Sequence, residues 1–274
     1  KMIQTMKLYC RVWAAFFRNA WVRESSFQGN FLVTVITSLF WFAVQITLFD
    51  LIYRRVPAIN DWSREEYFAF MATGMLINAL VEVFFLPNCA QFSELIRTGN
   101  LDFALLKPID TQFLVSCEKL DLGTLSEIAL AASLLVYALW QRGSPPSPAT
   151  AALYLLLIGA AVCFFYSLMI SLAALSILFG RNQGLLDFWF YVTIFARYPS
   201  SIYSGSPAGE VIRFAFSYVL PILLVVTVPA QVLLGKLLEP GWLSGLTLAS
   251  GLISLALGRG VFQWSLRHYR SASS

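Results

Sequence analysis

Asn78 and Glu82 stand four residues apart inside an apolar stretch of the chain. On a helix that spacing places both side chains on one face. An ionisable group within such a stretch is costly, so it marks either a polar pathway or a hydrogen bond that holds helices together. Gln45, in another apolar run, is the third candidate lining residue. Other chemistry is thinly supplied. No phosphate-binding GxxxxGK[ST] loop occurs, and Gly235-Lys236 is followed by Leu237. HExxH and GxSxG patterns are also absent. The single histidine, His268, has no partner pattern, and Cys10, Cys89, Cys117 and Cys163 lack CxxC or metal-ligand spacing. The cysteines read as free small hydrophobes. Cationic residues are scattered, which argues against a nucleic-acid surface.

These residues need elements to position them, and composition says which kind. Of 274 residues, 58% are hydrophobic and 12% charged, with a mean hydropathy of +0.69. Soluble domains carry about 25% charged residues. So much apolar surface cannot be hidden in one globular core, and an all-α polytopic membrane protein is the expected class. Apolar runs predict spans over about 31–53, 67–88, 122–141, 149–179, 184–204 and 240–262. Between the last two, residues 207–236 are apolar but carry Pro221 and Pro229. Proline removes a backbone donor, and broken backbone in lipid needs protein or water to cover it. This segment reads as a pair of re-entrant helices on the extracytoplasmic side, giving six spans; counted as a span, it gives seven.

Lys1, Lys7, Arg11, Arg18 and Arg23 face a single acid, Glu24, before the first span, and the tail adds Arg267 and Arg270. The positive-inside rule then places both ends in the cytoplasm, which requires an even count. Arg54, Arg55 and Arg64 fall against that bias. Residues 1–26 alternate a basic face with Tyr9, Val12, Trp13, Phe16, Phe17 and Ala20, the pattern of an amphipathic helix lying in the membrane interface. The chain begins at Lys1 rather than methionine, as expected of a trimmed start, and no cleavable signal is evident.

Residues 89–121 then form the largest cytoplasmic loop, which includes SELIRTGNLDFALLKPID at 93–110. Gly99 is placed to end a helix in a left-handed turn. Asn100 can cap a short helix with Asp102 in its first turn, and Pro108 disfavours helix at Lys107. That helix is expected to expose Leu101, Phe103, Ala104, Leu105 and Leu106. They either fold under neighbouring spans or dock on a partner.

Arg97, Thr98, Gly99, Leu101, Asp102, Leu105, Leu106, Lys107 and Pro108 match an R-[TS]-G-x-L-D-x-x-L-L-K-P segment. In this the chain resembles the membrane subunits of type-two ABC exporters, and more narrowly a bacterial six-span permease subfamily. Weaker support comes from GRNQGLLD at 180–187, PAQVLLG at 229–235 and the tail from Trp264. The resemblance implies a permease that pairs with a second permease, identical or paralogous, in the bacterial inner membrane. It also implies docking on a separate ATPase through Glu94, Leu95, Arg97, Gly99, Asn100, Leu101, Asp102, Leu105, Leu106, Lys107 and Pro108. ATP and magnesium would then belong to that partner, with no cofactor in this chain. Aromatic, weakly polar spans suit a hydrophobic or amphiphilic cargo. An ion-coupled secondary transporter using Glu82 is the alternative, and a lipid-headgroup enzyme would need clustered acids or histidines that the chain lacks.

Overall fold

The computed structural model describes residues 2–26, 28–179, 187, 190–191, 194–236 and 241–269. Among them every regular element is helical. The first two are α1 (Met2–Ser26) and α2 (Gln28–Tyr53). Next come α3 (Arg64–Phe84) and α4 (Leu86–Arg97), which together make one apolar rod of 34 residues. Ser63 starts the rod with a capping box: its side chain accepts from the Glu66 N–H, and Glu66 reaches back to the Ser63 N–H. Short helices α5 (Asn100–Leu105) and α6 (Thr111–Cys117) follow. Then come α7 (Leu125–Arg142) and α8 (Pro148–Phe179).

Among the described residues, four helical stretches are long and apolar enough to cross a membrane: 31–53, 64–97, 148–178 and 243–267. Helix α7 has 18 residues, or about 27 Å of rise, close to the ~30 Å of a bilayer's hydrocarbon core. It begins at Leu125 rather than at 122, because Asp121 folds back to accept from the Gly123 N–H. Of the expected span at 184–204, residues 184–186, 188–189 and 192–193 lie outside the described residues. Its described end is not α-helical: Ile194–Arg197 and Ser200–Tyr203 are 3-10 turns.

Residues 207–233 form a bent pair. Helix α9 (Pro207–Phe214) continues as a π turn through Val219, and α10 (Ile222–Leu233) leaves at 84°. Pro221 sits at the break, as expected. Pro229 does not interrupt, since it lies inside α10. If the pair is one span, the described count is five. The last helix is α11 (Leu243–Arg267).

The bundle is organised on α8, against which α11, α10 and α4 pack. The α8–α11 contact is close because of two glycines seven residues apart. A Cβ on Gly251 would meet Ala160 backbone at 2.7 Å, and one on Gly258 would meet Ser167 at 3.2 Å. Small residues let membrane helices approach backbone to backbone. By contrast, none of residues 31–52 of α2 is buried.

Candidate docking and pathway sites

The loop between α4 and α7 is a folded unit. Helix α4 ends at Arg97, whose guanidinium pairs with Glu94 one turn earlier at 2.6 Å. Gly99 takes φ +71°, the left-handed conformation that glycine adopts without steric cost. Gly99 itself, not Asn100, is the N-cap of α5; Asn100 is its first helical residue, and its amide donates to the Thr98 hydroxyl at 2.9 Å. The carbonyl of Gly99 already accepts the first bond of α5, from the Asp102 N–H at 3.1 Å.

The exposure of α5 differs from the expectation in one respect. Leu101 and Ala104 are buried and belong to the main core. A six-residue helix lying on a bundle must bury one side, and positions 101 and 104 are three apart on that side. Burial of Leu101 contributes about 2 kcal/mol to seating the helix. The outward set is Phe103, Leu105 and Leu106, followed by Lys107 and Pro108; Leu106 is 81% exposed and Phe103 68%. Leu101 is thus an anchor and not a contact surface. Glu94, Arg97 and Asn100 are exposed, whereas Leu95, Gly99 and Asp102 are half-buried. Asp102 lies beside the Tyr269 hydroxyl at the end of the chain.

Sequence reasoning missed how the loop is fastened. Asp110 caps α6 by accepting from the Phe113 N–H at 3.0 Å. The same carboxylate pairs with Arg259 of α11, whose Nη1 donates to Asp110 Oδ1 at 2.9 Å and to Gln112 Oε1 at 3.0 Å. Burial raises the Asp110 carboxyl, but Arg259 and the Phe113 N–H override that and hold it below the usual carboxylate range. The Asp110 N–H donates to the Tyr9 hydroxyl of α1 at 3.1 Å. Gln112 and Ser116 both meet the Tyr166 hydroxyl of α8 at 3.0 Å. One short helix therefore touches α1, α8 and α11. The available signal was Arg259, a cation inside the last apolar run, with the Asp110 cap as its counter-ion.

Helix α1 also packs on this loop. Tyr9 and Phe16 pack their rings on Phe113 of α6, Arg23 donates to the Leu120 carbonyl at 2.6 Å, and Ala20 is buried. The loop supplies the packing partner that the sequence did not reveal. Trp13, Phe17 and Trp21 remain exposed along the helix.

Asn78 and Glu82 are half-buried on α3, one turn apart, and Gln45 is half-buried on α2. Glu82 lies within electrostatic reach of Glu127, Asp121 and Arg197. Glu127 accepts a hydrogen bond from Ser38 at 2.7 Å, tying α7 to α2. Among the described residues, Gln45 forms no hydrogen bond with Asn78 or Glu82. The segments 180–186 and 270–274, which share in the sequence resemblance, lie outside the described residues.

No curated protein and no solved structure matches the chain. A family model does: residues 39–273 match that of the ABC-2 family transporter proteins. The match takes in α3 to α11, the fastened loop and the bent pair, so the chain belongs to the ABC-2 family of transporter membrane proteins.

Proposed function

We propose that this chain is the permease subunit of an ATP-driven exporter of hydrophobic or amphiphilic cargo, driven by a separate ATPase that docks on residues 94–108. Six crossings are assigned to α2, α3–α4, α7, α8, residues 184–204 and α11. Both ends then lie in the cytoplasm of a bacterial cell, and the bent pair at 207–233 is re-entrant from the other side. ATP and magnesium belong to the ATPase, and a second permease, identical or paralogous, completes the pathway. Asn78, Glu82 and Gln45 are its polar lining.

The observation that carries this reading is the outward set Phe103, Leu105 and Leu106 on a helix anchored from behind by the buried Leu101. Exposed apolar groups on a seated, polar-rimmed helix suit a pocket on a partner. The test is co-purification of the ATPase with Leu106→Glu and Phe103→Asn chains. Both residues are exposed, so the chain should insert and keep its helix content. The bound ATPase should fall about tenfold or more, as for the loss of an interface hot spot. Undiminished ATPase in both variants would sink the docking assignment. Transport that needs no ATP and is lost in Glu82→Gln would replace it with an ion-coupled mechanism.

A further inference from the structure

At the end of the bundle opposite α5, helices α2, α3 and α7 enclose a crevice of about 540 Å³. It is lined by Phe42, Ile46, Thr47 and Asp50 of α2 and by Arg54 in the turn just past its end. Phe42, Ile46, Asp50 and Arg54 lie at successive four-residue steps, which make one stripe along the helix. The stripe is graded. Phe42 and Ile46 line the part toward the middle of α2, and the charges lie at its end. It extends about 18 Å along the helix axis.

The charged mouth is arranged around Asp50. Arg64 donates to Asp50 Oδ1 at 2.8 Å through Nε, and Arg54 donates to Oδ2 at 2.9 Å through its own Nε. Arg64 is further engaged by Glu65 at 3.7 Å and by the Tyr137 hydroxyl. Arg54 is different: only its Nε is committed to Asp50, and its side chain is 74% exposed. Asp50 thus holds the guanidinium at Nε on a side chain that is largely open to its surroundings. A planar guanidinium fork held this way matches two oxygens of a phosphate. Tyr137 and the exposed Trp140 of α7 place this mouth at the headgroup level, where aromatic residues gather in membrane proteins.

We propose that this crevice binds one anionic phospholipid of the surrounding membrane. Its phosphate sits on Arg54 at the mouth, and one acyl chain lies along Ile46 and Phe42. The polarity gradient along α2 is that of the ligand: charge at the surface, hydrocarbon beneath. The site is open to lipid because α2 buries no residue over 31–52. The proposal rests on the membrane placement of α2, and not on the ATPase or on the assignment of cargo.

The test is native mass spectrometry of the full chain released from nanodiscs of mixed phosphatidylglycerol and phosphatidylcholine. The wild-type chain should retain phosphatidylglycerol in preference. Arg54→Gln should lower that retention about tenfold, the scale of a lost charge-assisted hydrogen bond. Ile46→Trp, which fills the slot without touching the charges, should lower it as well. Excess inorganic phosphate should not displace the lipid, because the acyl chain contributes to binding. Equal retention of the two lipids, retention unchanged in both variants, or displacement by free phosphate would overturn the proposal. A dimer that Ile46→Trp dissociates, with no lipid preference, would overturn it too, since a second copy would then cover this face.

Discussion

The two ends of the bundle each tie a non-spanning segment to a long helix with one main ion pair, and the two pairs are built differently. At the α5 end, Asp110 and Arg259 keep about a third of their side-chain surface in solvent or more. At the opposite end, Lys236 and Glu66 are less than a fifth exposed, at 2.8 Å. Lys236 also donates to the Asp61 carbonyl and stands 4.4 Å over the Trp62 ring. Trp62 in turn donates to Ser201 at 3.1 Å and packs on Phe70. The Lys236 junction is closed on itself by aromatic rings. The Asp110 junction leaves an apolar helix face open beside its ion pair. A junction sealed by burial resists movement, whereas one held by half-solvated charges and touching three helices can pass movement on.

Mutations can break this contrast, and the largest effect on stability is expected at the sealed end. Glu66→Ala removes both the Lys236 partner and half of the capping box, leaving a poorly solvated ammonium. A loss of about 2 kcal/mol is expected, read as a lower thermal midpoint in detergent. A thermal midpoint that does not move would show that the Lys236 junction is no more rigid than the Asp110 one. Gly99→Ala comes next. It forces a Cβ into the left-handed region at an otherwise open position, which costs about 1 kcal/mol. The cost should appear as faster amide exchange in α5 with the spans unaffected. Arg259→Gln should change stability least, by about 0.5 kcal/mol, because its pair with Asp110 is partly solvated.

The Asp110–Arg259 pair also predicts a pH dependence. The Asp110 carboxyl is held below its ordinary value in the folded chain, so its contribution is fully present above the unfolded value, about 3.9. It is lost as pH falls through the folded value. Amide protection at Phe113 should therefore hold at neutral pH and fall only in acid below about pH 4 in the wild-type chain. In Arg259→Gln that loss should begin at a higher pH. An unshifted profile would mean that Arg259 does not govern the cap.

Sequence alone located the punctuation of residues 93–110 well. Gly99 is left-handed and Asp102 falls in the first turn of a short helix, because turn chemistry is local and acts over three or four residues. Which side of that helix is buried was not legible. Leu101 and Leu105 are equally apolar, and only the position of the core behind α5 buries one and leaves the other exposed. Arg259 was readable as a cation in an apolar run, yet its partner lies 149 positions away, beyond any periodicity.

The same division runs through the chain. Apolar run length decided that the helices are long and all-α, since a bilayer demands about 20 apolar residues whatever lies beside them. Pro221 decided where the bent pair breaks, because a missing N–H and a fixed φ act on their own turn. The opposite outcome at Pro229, inside α10, was decided by tertiary structure: that helix is buried on nearly every face and continues through the lost bond. Tertiary structure likewise decided the close approach of α8 and α11, the fastening of α6 to three helices and the crevice beside α2. Each depends on atoms far apart in sequence meeting within a few ångströms, and no local rule supplies that distance.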